Sequence, residues 1–194
     1  MKNVILGLTL LVTATLVSAN VDGKPKLTTQ EAKVKMKASM SLLDKELKQT
    51  IGKLSKQTKG TLVQIYRHHD RHSQKVTLRQ VMQEVGQEME TMISAVFMDN
   101  AEMAADAARR LANHRIPRGG LISYLELDQI NDELLSGLDG MNTEVEGNAI
   151  KFAQAADKGD MAAAAALLTP IVNGCVACHN IFRGQPGKNS HIRY

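Results

Sequence analysis

The chain has no tryptophan, three tyrosines and three phenylalanines, so aromatic residues make up only 3% of its 194 residues. A helical domain built on so few rings is short of bulky core material, and a large flat apolar group from elsewhere would fill the gap. There are two cysteines, too few to hold a zinc ion by four thiolates. After the first twenty residues no run reaches the ~18–20 apolar residues expected of a bilayer-spanning helix. No Ser/His/Asp set, phosphate-binding loop or second cluster of metal ligands stands out. The sequence therefore reads as a non-enzymatic protein, with no catalytic residues, and nothing in it points to nucleic acid.

What is present begins with a leader. Met1-Lys2-Asn3, an apolar run from Val4 to Val17 and Val17-Ser18-Ala19 before Asn20 form a charged region, a short hydrophobic region and a small-x-small cleavage site. Residues 1–19 read as a secretory signal peptide, which implies export to a periplasm. Alanine, leucine, methionine, glutamate, glutamine and lysine dominate the remainder, a composition that favours helix. Charge is unevenly spread: residues 24–75 hold 13 Lys/Arg against 4 Asp/Glu, residues 76–194 hold 10 against 15. A basic, helical extension (20–75) is therefore expected ahead of a more acidic domain (76–184), with a flexible tail at 185–194.

Thr28-x-x-Glu31 has the form of a capping box, and Met36, Met40, Leu43, Leu47, Ile51 and Leu54 recur at steps of three and four. The spacing predicts one amphipathic helix to about Lys59, broken at Gly60. In His68-His69-Asp70-Arg71-His72, His68 and His72 share a helical face, but further ligands are lacking and two arginines flank the group. It is read as a solvated polar cluster rather than a metal site. A second capping box at Thr77-x-x-Gln80 opens helix A, whose stripe Leu78, Met82, Val85, Met89, Met92, Val96 runs to about Met98. Helix B follows from Ala101 to about His114, helix C from about Ser123 to Asp157 with an interruption near Gly137–Gly140, and helix D from Met161 to Arg183. Pro170 is expected to kink helix D.

Helix D carries Cys175-Val176-Ala177-Cys178-His179. Cys-x-x-Cys-His is the signature of covalent haem c attachment. Two thiols about one helical turn apart can add across the two vinyl groups of one porphyrin, and the following imidazole can ligate the iron. A thioredoxin-like pair would stand at a strand-to-helix junction, not at the end of an Ala-rich helical run. Four helices with short A–B and C–D links and a longer B–C crossing predict an all-α fold, an antiparallel four-helix bundle with its cofactor between facing helices and the extension added N-terminally.

With the motif on the last helix, followed by Phe182-Arg183 and preceded five residues earlier by Pro170, residues ~76–184 resemble the class II c-type cytochromes. This is the cytochrome c-prime group, and helix A is most similar to its low-spin branch. The resemblance implies one covalent haem c on Cys175 and Cys178, His179 as proximal iron ligand, and a sixth ligand from the start of helix A. Met82 occupies that place, with Met89 the second choice; a methionine on an apolar stripe also serves as plain core filler. Arg183 is implied to lie against the proximal side of the haem, and Arg79 is a guess for a propionate. Phe97, Phe152 and Phe182 are taken as core or haem-packing residues. The expected function is single-electron transfer with a redox partner protein, as a monomer or a homodimer. Two alternatives stay open: a five-coordinate haem that binds small gases such as nitric oxide, and a helical docking subunit whose basic arm meets an acidic partner or, less favoured, anionic lipid.

Overall fold

Most of the longer helices start on a side chain able to accept a backbone hydrogen bond. The computed structural model describes residues 25–183; the expected signal peptide and tail lie outside them. Thr28 and Thr77 form the two expected capping boxes, opening α1 (Thr29–Ser41) and α4 (Leu78–Phe97). Asp44 opens α2 (Lys45–Lys53), Ser55 opens α3 (Lys56–His68), and Asn100 opens α5 (Ala101–Ala112). Each cap satisfies one amide that the helix cannot pair internally. The fold is all-helical; among the described residues the one strand-like pairing is an isolated bridge between His72 and Ile116.

Two expected long helices are divided. The extension forms α1, α2 and α3, not one helix, because Asp44 and Ser55 cap new starts within the stripe. Gly60 lies inside α3 and breaks nothing. Helix C is the larger departure. Residues 122–142 run as 3₁₀ turns at Ile122–Tyr124 and Leu127–Gln129 followed by the short helices α6 (Asp132–Leu135) and α7 (Leu138–Asn142). A π-helical turn, Thr143–Gly147, then leads into α8 (Asn148–Asp157). Asn131 caps α6 by accepting from Leu134 N, and Asx capping competes with helix continuation. Beyond Gly159 (φ 73°) come α9 (Met161–Ala166), capped by Asp160, and α10 (Leu168–Phe182).

Packing follows two apolar clusters. In the first, α4, α5, α8, α9 and α10 meet through small residues, among them Ala104, Ala108, Ala149 and Ala153, around Phe152 and Met92. Alanines let the helix axes approach closely, and Phe152 supplies the one large ring that chain offers there. The second cluster joins Leu43, Leu47 and Ile51 of the extension to Leu125, Leu135 and Phe182. The extension therefore shares a core with the segment after α5 and with the end of α10. Asp132 at the start of α6 reinforces this by accepting from Ser55 N at 2.9 Å and from the Thr58 hydroxyl.

Helix α10 is seated on the π turn. A Cβ built at Gly174 would stand 2.7 Å from Val145 Cγ2 and 2.9 Å from Glu144 Cβ, closer than non-bonded carbons approach. Only glycine permits that contact, so Gly174→Ala should lower stability by about 1–3 kcal/mol through overpacking. Urea unfolding of the two proteins checks this, and an unchanged midpoint would contradict the seating.

Candidate functional site

The site begins with the way α10 starts. Pro170 has no N–H to give the carbonyl of Ala166, and its ring cannot stack on that turn, so α9 ends at Ala166 and α10 restarts at Leu168. The helix that Pro170 was expected to kink is interrupted at Leu167. Five residues on, Cys175 and Cys178 stand one helical turn apart, both with free thiols and both partly buried. Cys175 packs on the first apolar cluster and Cys178 on the second, so the motif lies at the seam between them. His179 is exposed, and Phe182, one turn after Cys178, is buried.

The outward face of the same helix leaves several apolar side chains uncovered. Val172 is 43% exposed, Val176 51% and Ile181 37%. By length and composition the run Met161–Phe182 would even suffice to cross a membrane, which the sequence reading did not anticipate. The restart at Leu167–Leu168, and Asn173, His179 and Asn180 on its exposed side, interrupt such a span.

Burial pushes the Cys175 thiol above its ordinary pKa and does the same for Cys178, helped there by the neighbouring thiol. Both also lie in the C-terminal half of a helix, where the dipole offers no support to a thiolate. These surroundings favour the thiol over the thiolate, unlike those of the activated cysteine of a disulfide-exchange site. No family model, curated protein or solved structure matches the chain.

The remaining expected ligands are distributed less tidily. Val81, not Met82, faces the core at the start of α4, with Val81 fully buried and Met82 37% exposed. The stripe rejoins the core only at Val85, Met89 and Met92, so Met89 is core packing and Met82 is not core filler. Helix α4 packs chiefly on α5 and α9 and not closely on α10, so the structure does not bring Met82 onto the motif. Arg79 is exposed on the first turn of α4, and Arg183 is exposed at the C-cap of α10, its amide bonded to His179 O. Phe152 and Phe182 are core residues as expected, but Phe97 is 85% exposed.

The histidine group also departs from expectation. His69 is fully buried, not solvated, and its Nε2 lies 3.0 Å from Glu146 Oε1. His114 Nε2 reaches the same oxygen at 3.3 Å. His68 and His72 stay outside the contact; burial moves both below their ordinary pKa, and His72 Nε2 instead meets His69 O at 2.9 Å. Burial alone would drive Glu146 towards its neutral form. The His69 charge and the close approach of both rings outweigh it and bring Glu146 down to about 2, while Glu146 holds His69 above its ordinary value against its own burial. Residues 69, 114 and 146 are far apart in sequence, and no spacing in the chain could have joined them.

If the two thiols are held protonated by their surroundings, a chain bearing no adduct on them should alkylate slowly at neutral pH. Iodoacetamide rates should still be climbing above the pH where those of a free cysteine peptide have levelled. A neutral-pH rate faster than the peptide's would contradict the assignment.

Proposed function

We propose that the mature protein is an exported monohaem c-type cytochrome of the class II kind, carrying single electrons in a periplasm. In this reading α4, α5, α8 and the α9–α10 run are the four helices of the bundle. The carrying observation is the motif in its setting: two cysteines one turn apart, then an exposed imidazole, on a helix that leaves Val172, Val176 and Ile181 uncovered on its outer side. That donor set suits haem c, and a porphyrin is the flat apolar group that a chain with three phenylalanines and no tryptophan lacks. When bound, the group would supply an iron that takes up and releases one electron.

The chain's own residues have these roles. Cys175 and Cys178 tether the group by thioether bonds, and His179 directs its imidazole to the iron. Met82 would be the sixth ligand; its exposure on a turn whose core side is taken by Val81 leaves its thioether free, and ligation would require α4 to approach α10 more closely than it does here. Arg183 would add a positive charge one turn beyond His179, which favours the reduced iron, and Arg79 would meet a propionate. The basic extension gives a face for an acidic redox partner, with docking that weakens as salt rises. No bond of a substrate is made or broken.

A second reading keeps the fold and changes the chemistry. Because α4 does not pack closely on α10, a five-coordinate iron open to nitric oxide is the alternative if Met82 stays away. The absorption spectrum of the oxidised protein separates the two. A thioether-to-iron band in the far red that disappears in Met82→Ala supports the six-coordinate carrier. A high-spin spectrum unaltered by Met82→Ala supports the gas-binding protein, and a spectrum without haem sinks both.

A further inference from the structure

The convergence of His69, His114 and Glu146 has no part in the haem reading, and it is built like a coordination site. Three segments deliver it: the residue capping the C-terminus of α3, the loop two residues past α5, and the π turn Thr143–Gly147. Single π turns recur at functional sites because they re-aim a side chain that an α-helix would point elsewhere. The loops bearing the two histidines are fixed to each other by Ile116 N donating to Arg71 O at 2.8 Å and Ser73 N donating to Ile116 O at 3.0 Å.

Ring chemistry then sets which nitrogens are free. His69 Nδ1 lies 2.8 Å from Ile65 O, and His114 Nδ1 lies 3.0 Å from Arg115 O. A carbonyl can only accept, so both Nδ1 atoms are donors, and in a neutral ring each Nε2 is a bare lone pair. With neutral rings both lone pairs face one carboxylate oxygen, so a cation belongs among the three atoms, either a proton on an imidazole or a metal ion. A proton on His69 pairs with Glu146 by charge but makes no well-aligned hydrogen bond, because Nε2 is 3.0 Å from Oε1 yet off the angle of one.

A metal fits better. With bonds of about 2.0–2.1 Å in a tetrahedral shell, ligand atoms stand roughly 3.3 Å apart. Here the two nitrogen-to-oxygen separations, 3.0 and 3.3 Å, are close to that, and the two nitrogens, no more than 4.8 Å apart, would draw together around an ion. Backbone carbonyls holding the second nitrogen of each imidazole are the outer shell typical of bound metals.

We propose that His69 Nε2, His114 Nε2 and a Glu146 oxygen bind one divalent transition-metal ion of the zinc type. Two imidazoles and a carboxylate are borderline donors that select such an ion over calcium or magnesium. Three protein ligands leave a fourth position open, and the His114 side chain, 21% exposed, marks the way in. The site uses no atom of Cys175, Cys178 or His179, so it stands or falls apart from the haem.

The test is titration of the chelator-treated full chain with Zn²⁺, followed by calorimetry and by elemental analysis of zinc per chain. One equivalent is expected, kept in His72→Gln and weakened in His114→Gln by at least the roughly 100-fold at the upper end for an outer-shell change. Zinc-edge X-ray absorption of the unmodified protein reads the shell without relying on any variant. Nitrogen and oxygen neighbours with imidazole scattering support the site. Sulfur neighbours would move the metal to the cysteines and overturn it. Absence of saturable binding, or affinity unchanged by His114→Gln, would overturn it as well.

Discussion

One turn of π helix carries contacts on two sides, and most of the arrangement depends on it. Towards α10, Val145 and Glu144 meet Gly174 at a distance that no side chain would allow, and this sets the depth at which the cysteine-bearing helix lies. Towards the extension, Glu146 ends between His69 and His114. A buried carboxylate without a cationic partner would cost several kcal/mol, so the two histidines and the turn must come together or not at all. The end of α3, the end of α5 and the seat of α10 are thereby coupled.

That coupling changes the meaning of the basic extension. Charge alone marks residues 24–75 as an appendage, yet Leu47 is fully buried and Leu43 nearly so, in a core shared with Leu135 and Phe182. The lysines lie mostly on the outward faces, as expected of an amphipathic element whose apolar stripe is used for packing. A partner attracted by those lysines would be docking on a fixed part of the fold, close to the helix that carries the motif.

Much of this was legible in the sequence, and the parts that were not share a cause. Side chains that act locally could be read: the capping boxes at Thr28 and Thr77, the Pro170 interruption and the Cys-x-x-Cys-His motif each work within one turn. The stripe on α4 was read one position off at its start, because Val81 and Met82 are both apolar and only the partner helix decides which is buried. Helix C was expected from about Ser123 to Asp157 with an interruption near Gly137–Gly140; a break does fall at residues 136–137, but Asn131 capping and contacts with the extension divide the segment further. The polar centre at Glu146 was invisible because its members come from three segments.

The account rests most heavily on Cys175 and Cys178 holding haem by covalent bonds. The direct measurement is the intact mass of the exported protein after full denaturation, with a haem stain of the same sample on a denaturing gel. The account predicts a mass above that of the polypeptide by one haem and a stained band, both lost when Cys175 and Cys178 are replaced by serine. A polypeptide of unmodified mass that carries no stain, from a host able to attach haem c, would contradict it.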